Sequence, residues 1–252
     1  MDTITFIGNG NMALSIAKGL KERYNIEVIG RNMSKINHFE EELGTNINKG
    51  LINHFDITGK TVLLCVKPAN VEEVGKQLKG QARIIFSVLA GTKIEKLKNN
   101  FNNASIVRTM PNVASSYGKS MTTLTGDRIF KEEAESLLGS IGETLWLERE
   151  NDIDIATALA GSGPAYLAII AKALTQGAVD LGLSKEDATT LTNGLFDGFA
   201  AVIQDNDPDT LKKSVMSPGG TTEAGCQSLD KSGIEESIKE ALTQAYKRAL
   251  TL

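Results

Sequence analysis

"FIGNGNMALSIAKGL", from Phe6 to Leu20, is the stretch whose reading decides the fold. Gly8, Gly10 and Ala13 stand at the spacing G-x-G-x-x-A. An apolar run over 3–7 precedes the turn, helical spacing fills 11–24, and a second apolar run over 26–29 closes the unit. A glycine pattern between a strand and a helix in such a unit predicts a dinucleotide cradle. Gly8 permits the tight turn, Gly10 lets the backbone approach a pyrophosphate, and Ala13 lets the helix pack closely on the sheet. The first helical amides, at Asn11 and Met12, then face the phosphates at the positive end of the helix. The competing reading is a glycine-rich turn without a ligand.

The same alternation continues to about residue 150. Buried-strand runs are predicted over 61–66, 83–88 and 105–108, with helices over 34–43, 71–78 and 94–99 between or beside them. Strands alternating with helices imply parallel pairing, right-handed crossovers and a doubly wound α/β sheet. Further strands are expected near 120–124 and 143–147, with a helix over 131–141 between them. Beyond Asn151 the strand pattern stops. Residues 153–181 are Ala-rich with helical spacing, interrupted by Gly161 and Gly163-Pro164. Ser184 reads as an N-cap with Asp187 three residues on, Asp207-Pro208 opens a short helix, and 234–250 carries an amphipathic stripe. The expectation is a Rossmann-type domain over 1–150 and an all-helical domain over 151–252. Its long apolar faces call for a second copy of the chain.

Composition excludes several classes. The chain has 252 residues, 41% of them hydrophobic and 23% charged, with a net charge of −4. That balance points to neither nucleic acid nor an anionic membrane surface. No uninterrupted apolar run approaches the roughly 18 residues of a membrane span. Two cysteines, Cys65 and Cys226, and two histidines, His38 and His54, give no disulfide framework and no metal-ligand pattern. No secretory signal is legible at the N-terminus. The expectation is a cytoplasmic protein without a metal.

The second strand ends in Gly30-Arg31-Asn32-Met33-Ser34, with no acid at its tip. An NAD site usually carries Asp or Glu there, for the ribose 2′-hydroxyl. Arg31 instead suits a 2′-phosphate, with Asn32 and Ser34 adding hydrogen bonds. NADPH is the predicted cofactor and NADH the alternative; a solvated surface arginine is the other reading of Arg31. "CVKP", Cys65 to Pro68, leaves the run over 61–66 toward the ligand crevice, so the backbone of Val66 and Lys67 is expected at the cofactor and Pro68 rigidifies the exit. Ala90 and Gly91 end the next strand and leave room for a flat ring. Cys65 reads as a small core residue.

In the helical half, "SVMSPGGTTEAG", Ser214 to Gly225, is the richest polar turn. Pro218-Gly219-Gly220 enforces a tight turn before a helix start at Thr221 and Thr222. Several amides then converge in a way that suits a carboxylate, and Ser217, Thr221 and Thr222 add hydroxyls. An ordinary helix cap is the alternative. "AGSGPAY", Ala160 to Tyr166, reads equally as a packing turn or as part of a site. The histidines, Trp146 and Tyr166 read as peripheral or packing residues.

Taken in order, "FIGNGNMA", "CVKP", "RTMPN", "AGSGPAY" and "SPGGTTEAG" resemble the pyrroline-5-carboxylate reductase family over nearly the whole chain. The resemblance implies reduction of 1-pyrroline-5-carboxylate to L-proline by NADPH or NADH. It implies that Ser217 and the Gly219-Gly220-Thr221-Thr222 turn hold the substrate carboxylate, with the Thr222 hydroxyl near the ring nitrogen. It adds Ala90 and an asparagine to the cofactor contacts; Asn48 is the better match and Asn53 competes. It implies homodimers interleaved through the C-terminal helices and, as a larger assembly, decamers. Two departures stand out: Met216 replaces a small polar residue, and Val113-Ala114 replaces Thr-Pro. A protonated cyclic imine is already a good electrophile, which agrees with the lack of converging His, Lys or paired carboxylates in the sequence. Reduction of a related cyclic imine or a keto acid, and NADP binding without catalysis, are the rival functions.

Overall fold

The computed structural model describes residues 1–252. The strands are β1 (Thr3–Ile7), β2 (Asn25–Gly30), β3 (Asn48–Leu51), β4 (Phe55–Asp56), β5 (Thr61–Leu64), β6 (Leu78–Lys79), β7 (Ile84–Ser87), β8 (Ser105–Met110), β9 (Ser120–Gly126) and β10 (Gly142–Trp146). Helices α1 (Asn11–Leu20), α2 (Met33–Leu43), α3 (Val71–Gln77), α4 (Ile94–Asn100) and α5 (Lys131–Leu138) lie among them. Helices α6 (Asp152–Ala156), α7 (Gly163–Asp180), α8 (Lys185–Asp205), α9 (Pro208–Val215), α10 (Thr221–Ser232) and α11 (Ile234–Ala249) follow.

Eight strands form one sheet in the order β10-β9-β8-β7-β5-β1-β2-β3, and β4 pairs with β6 in a small separate ribbon. The order steps outward from β1 in both directions, as in a doubly wound sheet, so the carboxyl ends on either side of β1 open a crevice. Alternate residues feed two cores. Phe6, Leu63, Ile84 and Phe86 pack on one face. Ile7, Val62, Leu64 and Ile85 pack on the other. Both faces are covered by helices, which is why these strands read as continuous apolar runs.

Two features depart from the sequence reading. β3, Asn-Lys-Gly-Leu, joins the sheet at its edge although it has no apolar run. β9 pairs antiparallel with β8, and β10 runs parallel to β9. The link from β8 to β9 holds only a short 3-10 turn, Val113–Tyr117, too short for a parallel crossover.

By packing, the chain forms two compact units: residues 1–162 with 244–252, and residues 163–243. The second unit is helical throughout. Ser184 caps α8, its hydroxyl accepting from the Asp187 amide at 3.0 Å. Asp207 caps α9, accepting from the Thr210 amide at 3.1 Å. The glycine interruption before α7 is absorbed by a π-helical turn, Thr157–Gly161. As a result Asp152–Asp180 is one stretch long and apolar enough to cross a membrane, with mean hydropathy 1.4 and 17% of its apolar window buried. The short apolar runs of the sequence had not suggested this.

Candidate functional site

The turn between β1 and α1 is held from below. The Gly8 amide donates to the Ile29 carbonyl at 2.8 Å. Gly8 has φ +108°, and a Cβ there would lie 2.6 Å from the Cys65 carbonyl oxygen. Any side chain would therefore be strained and would push the β5 exit away. Gly10 differs: it is the N-cap of α1, and no atom lies within 4 Å of where its Cβ would project. Its face opens to the crevice, which is the room a pyrophosphate needs. The first intrahelical bond runs from the Leu14 amide to the Gly10 carbonyl, so the Asn11 and Met12 amides have no acceptor within the chain. Ala13 is fully buried against the core.

A cavity of about 550 Å³ opens from this turn, within the range of cofactor pockets. Gly8, Gly10, Asn11, Arg31, Val66 and Lys67 line it together, as expected of a cofactor cleft. Arg31 stands at its rim with its side chain 60% exposed and its guanidinium 3.8 Å from the Glu73 carboxylate. Lys35, His38 and Asn70 line the same cavity and were missed. Lys35 and His38 lie in the first and second turns of α2, on a face that in sequence reads only as polar. The His38 ring stands 3.7 and 3.6 Å from Glu41 and Glu42. The donor set, free helix amides with cations at the far end, fits a phosphorylated dinucleotide.

Other expected contacts are placed elsewhere. Met12 lines a neighbouring groove with Val113. Asn32 caps α2, its side-chain oxygen accepting from the Lys35 amide at 3.1 Å, and it does not line the cavity. Pro68 opens a 3-10 turn, Pro68–Asn70, behind the cavity wall. Asn48 is not brought to the crevice: it is exposed and pairs with Glu27 at the opening of β3, three residues before the strand's carboxyl end. Asn53 lies two residues beyond that carboxyl end and is likewise exposed and outside the cavity lining. Ala90 lies on the exit from β7, and the Thr92 hydroxyl donates to its carbonyl at 3.3 Å. Cys65 is half-buried, packs against the core and borders the cavity, and desolvation pushes its thiol up, which disfavours the thiolate.

In the helical unit the Ser214–Gly225 segment folds as a turn and a helix start. The Gly220 amide donates to the Ser217 carbonyl at 2.9 Å, and Gly219 takes φ +72°. Gly220 is the N-cap of α10 and brings no capping side chain. A Cβ on Gly220 would overlap the Ser217 hydroxyl, so this glycine lets that hydroxyl lie beside the helix start. The amides of Thr221 and Thr222 have no acceptor within the chain. Glu223 turns back to accept from the Gly219 amide at 2.7 Å and braces the turn. One serine hydroxyl and two free amides stand at the positive end of a 12-residue helix, donors of the kind that suit an anion.

"RTMPN" meets the first residue of "AGSGPAY" in the first unit: the Asn112 side chain donates to the Ala160 carbonyl at 3.1 Å and accepts from the Ala114 amide at 3.0 Å. This bond joins the two motifs within the chain. Trp146 also packs against the core.

A nucleotide cradle on a doubly wound sheet, followed by an anion-binding helix start, defines a two-domain dinucleotide-dependent oxidoreductase. Residues 3–91 match the family model described as NADP oxidoreductase coenzyme F420-dependent. Residues 150–252 match that described as pyrroline-5-carboxylate reductase dimerisation. The chain is 31% identical to the pyrroline-5-carboxylate reductase of Helicobacter pylori strain J99, covering 98% of this chain and 99% of that one. It is 33% identical to pyrroline-5-carboxylate reductase 1 of Bacillus subtilis strain 168, over 98% and 88% of the two chains. The crystal structure of 1-pyrroline-5-carboxylate reductase from Streptococcus pyogenes superposes with a TM-score of 0.88 at 27% identity, covering 99% of this chain and 98% of that one. The chain belongs to the pyrroline-5-carboxylate reductase family.

Proposed function

We propose that this protein is a pyrroline-5-carboxylate reductase, reducing 1-pyrroline-5-carboxylate to L-proline with NADPH in proline biosynthesis. The observation that carries the reading is the free-amide turn at Ser217–Thr222, in a chain that belongs to this family. NADPH supplies the hydride to the imine carbon, and water supplies the proton that the ring nitrogen gains. Gly8, Gly10, Asn11 and Met12 hold the pyrophosphate. Arg31 and Asn32 take the adenosine 2′-phosphate, and Val66, Lys67, Pro68 and Ala90 line the path to the nicotinamide. NADH uses the same cleft without the contact to Arg31. One asparagine, Asn48 or Asn53, completes this set. No step calls for a metal.

Ser217 and the amides of Thr221 and Thr222 hold the substrate carboxylate, and Gly219 and Gly220 shape the turn. The hydroxyl of Thr222 hydrogen-bonds the ring nitrogen and fixes which face of the imine receives hydride. Most of the acceleration then comes from orientation, since the iminium is already electrophilic.

The working form is a homodimer built through the C-terminal helices, the functional division of the chain falling near residue 150; decamers are the larger assembly. Between residues 163 and 243 only Ala188 and Thr192 are buried, while Ile169, Leu191, Leu195 and Phe199 are each at least half exposed. A second copy, not a membrane or a nucleic acid, covers this face and the apolar stretch before it. The enzyme works in the cytoplasm, with both cysteines as thiols.

The test is NADPH oxidation with 1-pyrroline-5-carboxylate, with piperideine-6-carboxylate and with a keto acid as separate substrates. The proposal expects proline formation and a clear preference for the five-membered imine. Turnover of the keto acid alone, or of none, overturns it.

A further inference from the structure

The loop that leaves β7 is tied down at two points just after Ala90. Lys93, the N-cap of α4, sends its ammonium to Asp154 Oδ2 at 2.9 Å and to Asn151 Oδ1 at 2.8 Å. The neighbouring Ile94 amide donates to Glu150 Oε1 at 2.8 Å. The same two carboxylates receive Arg108 from β8: Nη2 to Asp154 Oδ1 at 2.6 Å and Nη1 to Glu150 Oε1 at 3.1 Å. The Arg108 side chain is 1% exposed and that of Asp154 is 0% exposed. Two cations thus balance two carboxylates, with only the Arg108 Nε left unpartnered. Such a buried cluster is a weak source of net stability, because each charge gives up its hydration. What it supplies is definition: the loop, the sheet and the start of α6 are held to one arrangement.

The other side of the loop is closed by the C-terminal residues. Gly91, at φ +65°, lies against the Ala249 carbonyl and the Leu252 side chain, and any Cβ there would overlap the carbonyl oxygen. Ala90 and Gly91 are therefore held between a charged tether at Lys93 and a close backbone contact at Ala249.

We propose that Lys93 is a positioning residue for the cofactor: through Asp154 and Asn151 it fixes the Ala90–Thr92 turn against which the nicotinamide packs. The inference rests on the reading of Ala90 as a cofactor contact. Lys93 touches neither cofactor nor substrate in this role. Its side chain is 41% exposed, so water can reach the carboxylate that its removal leaves unbalanced, and a melting curve of each variant checks that the fold is kept.

Lys93→Ala, Lys93→Met and Lys93→Arg test this in the full-length protein. Hydrogen exchange of peptides spanning 89–95, without cofactor, reads the turn directly; NADPH titration and the primary isotope effect with deuterated NADPH read its consequence. For both Ala and Met the expected result is faster exchange and NADPH affinity weaker by roughly threefold to tenfold, the scale of one screened charged hydrogen bond. The isotope effect is expected to rise, the KM for the imine to stay unchanged, and Arg to restore most of the loss. Unchanged exchange at 89–95 in both Ala and Met variants overturns the tether. Faster exchange with unchanged NADPH affinity overturns the proposal at Ala90, leaving the tether intact but away from the cofactor.

Discussion

The two compact units solve the burial problem differently. In the strand-built unit, Phe6, Ile7, Leu63, Leu64 and Phe86 are all fully buried, and helices cover both faces of the sheet. The helical unit buries only Ala188 and Thr192 and leaves Ile169 68% exposed and Leu191 62% exposed. Helices with so little of their apolar surface covered are not at their free-energy minimum as a lone chain. A nucleotide domain can be complete by itself; a dimerisation domain becomes complete in the assembly. The family match of residues 150–252 to a dimerisation model says the same in another way.

Three experiments break or sharpen this contrast. The largest effect is expected at Gly8→Ala. A Cβ 2.6 Å from the Cys65 carbonyl, at positive φ, costs on the order of 3 kcal/mol and moves the phosphate turn. A lowered Tm and at least roughly tenfold weaker NADPH binding, on the same energy scale, should follow in a titration. A protein unchanged in both would show that the first unit is more yielding than its packing implies. Next is the assembly itself. Sedimentation should give at least twice the 27.0 kDa chain mass, with a Tm that falls on dilution. A stable 27.0 kDa species would show that the helical unit is complete alone. The smallest effect is expected at Arg31→Ala. Its guanidinium is mostly solvated and shared with Glu73, so the NADPH over NADH preference should drop about tenfold, not vanish. An unchanged ratio in steady-state kinetics would return Arg31 to the solvent and leave Lys35 as the cation for the 2′-phosphate.

What could be read from residues alone was what local chemistry determines. The Gly8-Gly10-Ala13 turn, the caps at Ser184 and Asp207 and the Pro218-Gly219-Gly220 turn are each specified within a few residues. β3 was hidden because Asn48, Lys49 and Gly50 carry no apolar pattern; at the sheet edge the backbone ladder with β2 suffices. The reversal at β9 depends on the length of a link, not on any strand residue. Lys35 and His38 came to the cavity because α2 turns one polar face toward the crevice, which composition does not distinguish from a face toward water. The Lys93–Asp154–Arg108 cluster joins residues 61 and 46 positions apart, and no local pattern marks such a pairing. Asn48 and Asn53 both fit by residue type, and both are exposed and outside the cavity lining, so residue type does not choose between them.

The central claim is that the Ser217–Thr222 turn reads a carboxylate on a cyclic imine. The most direct test compares kcat/KM for 1-pyrroline-5-carboxylate with that for 1-pyrroline, which lacks the carboxylate, in the wild-type protein and in Ser217→Ala. Loss of hydrogen bonds to a charged group predicts a gap of about 100-fold or more for the wild type, narrowed in Ser217→Ala because that variant handles the carboxylate less well. Equal efficiency on both imines would contradict the account.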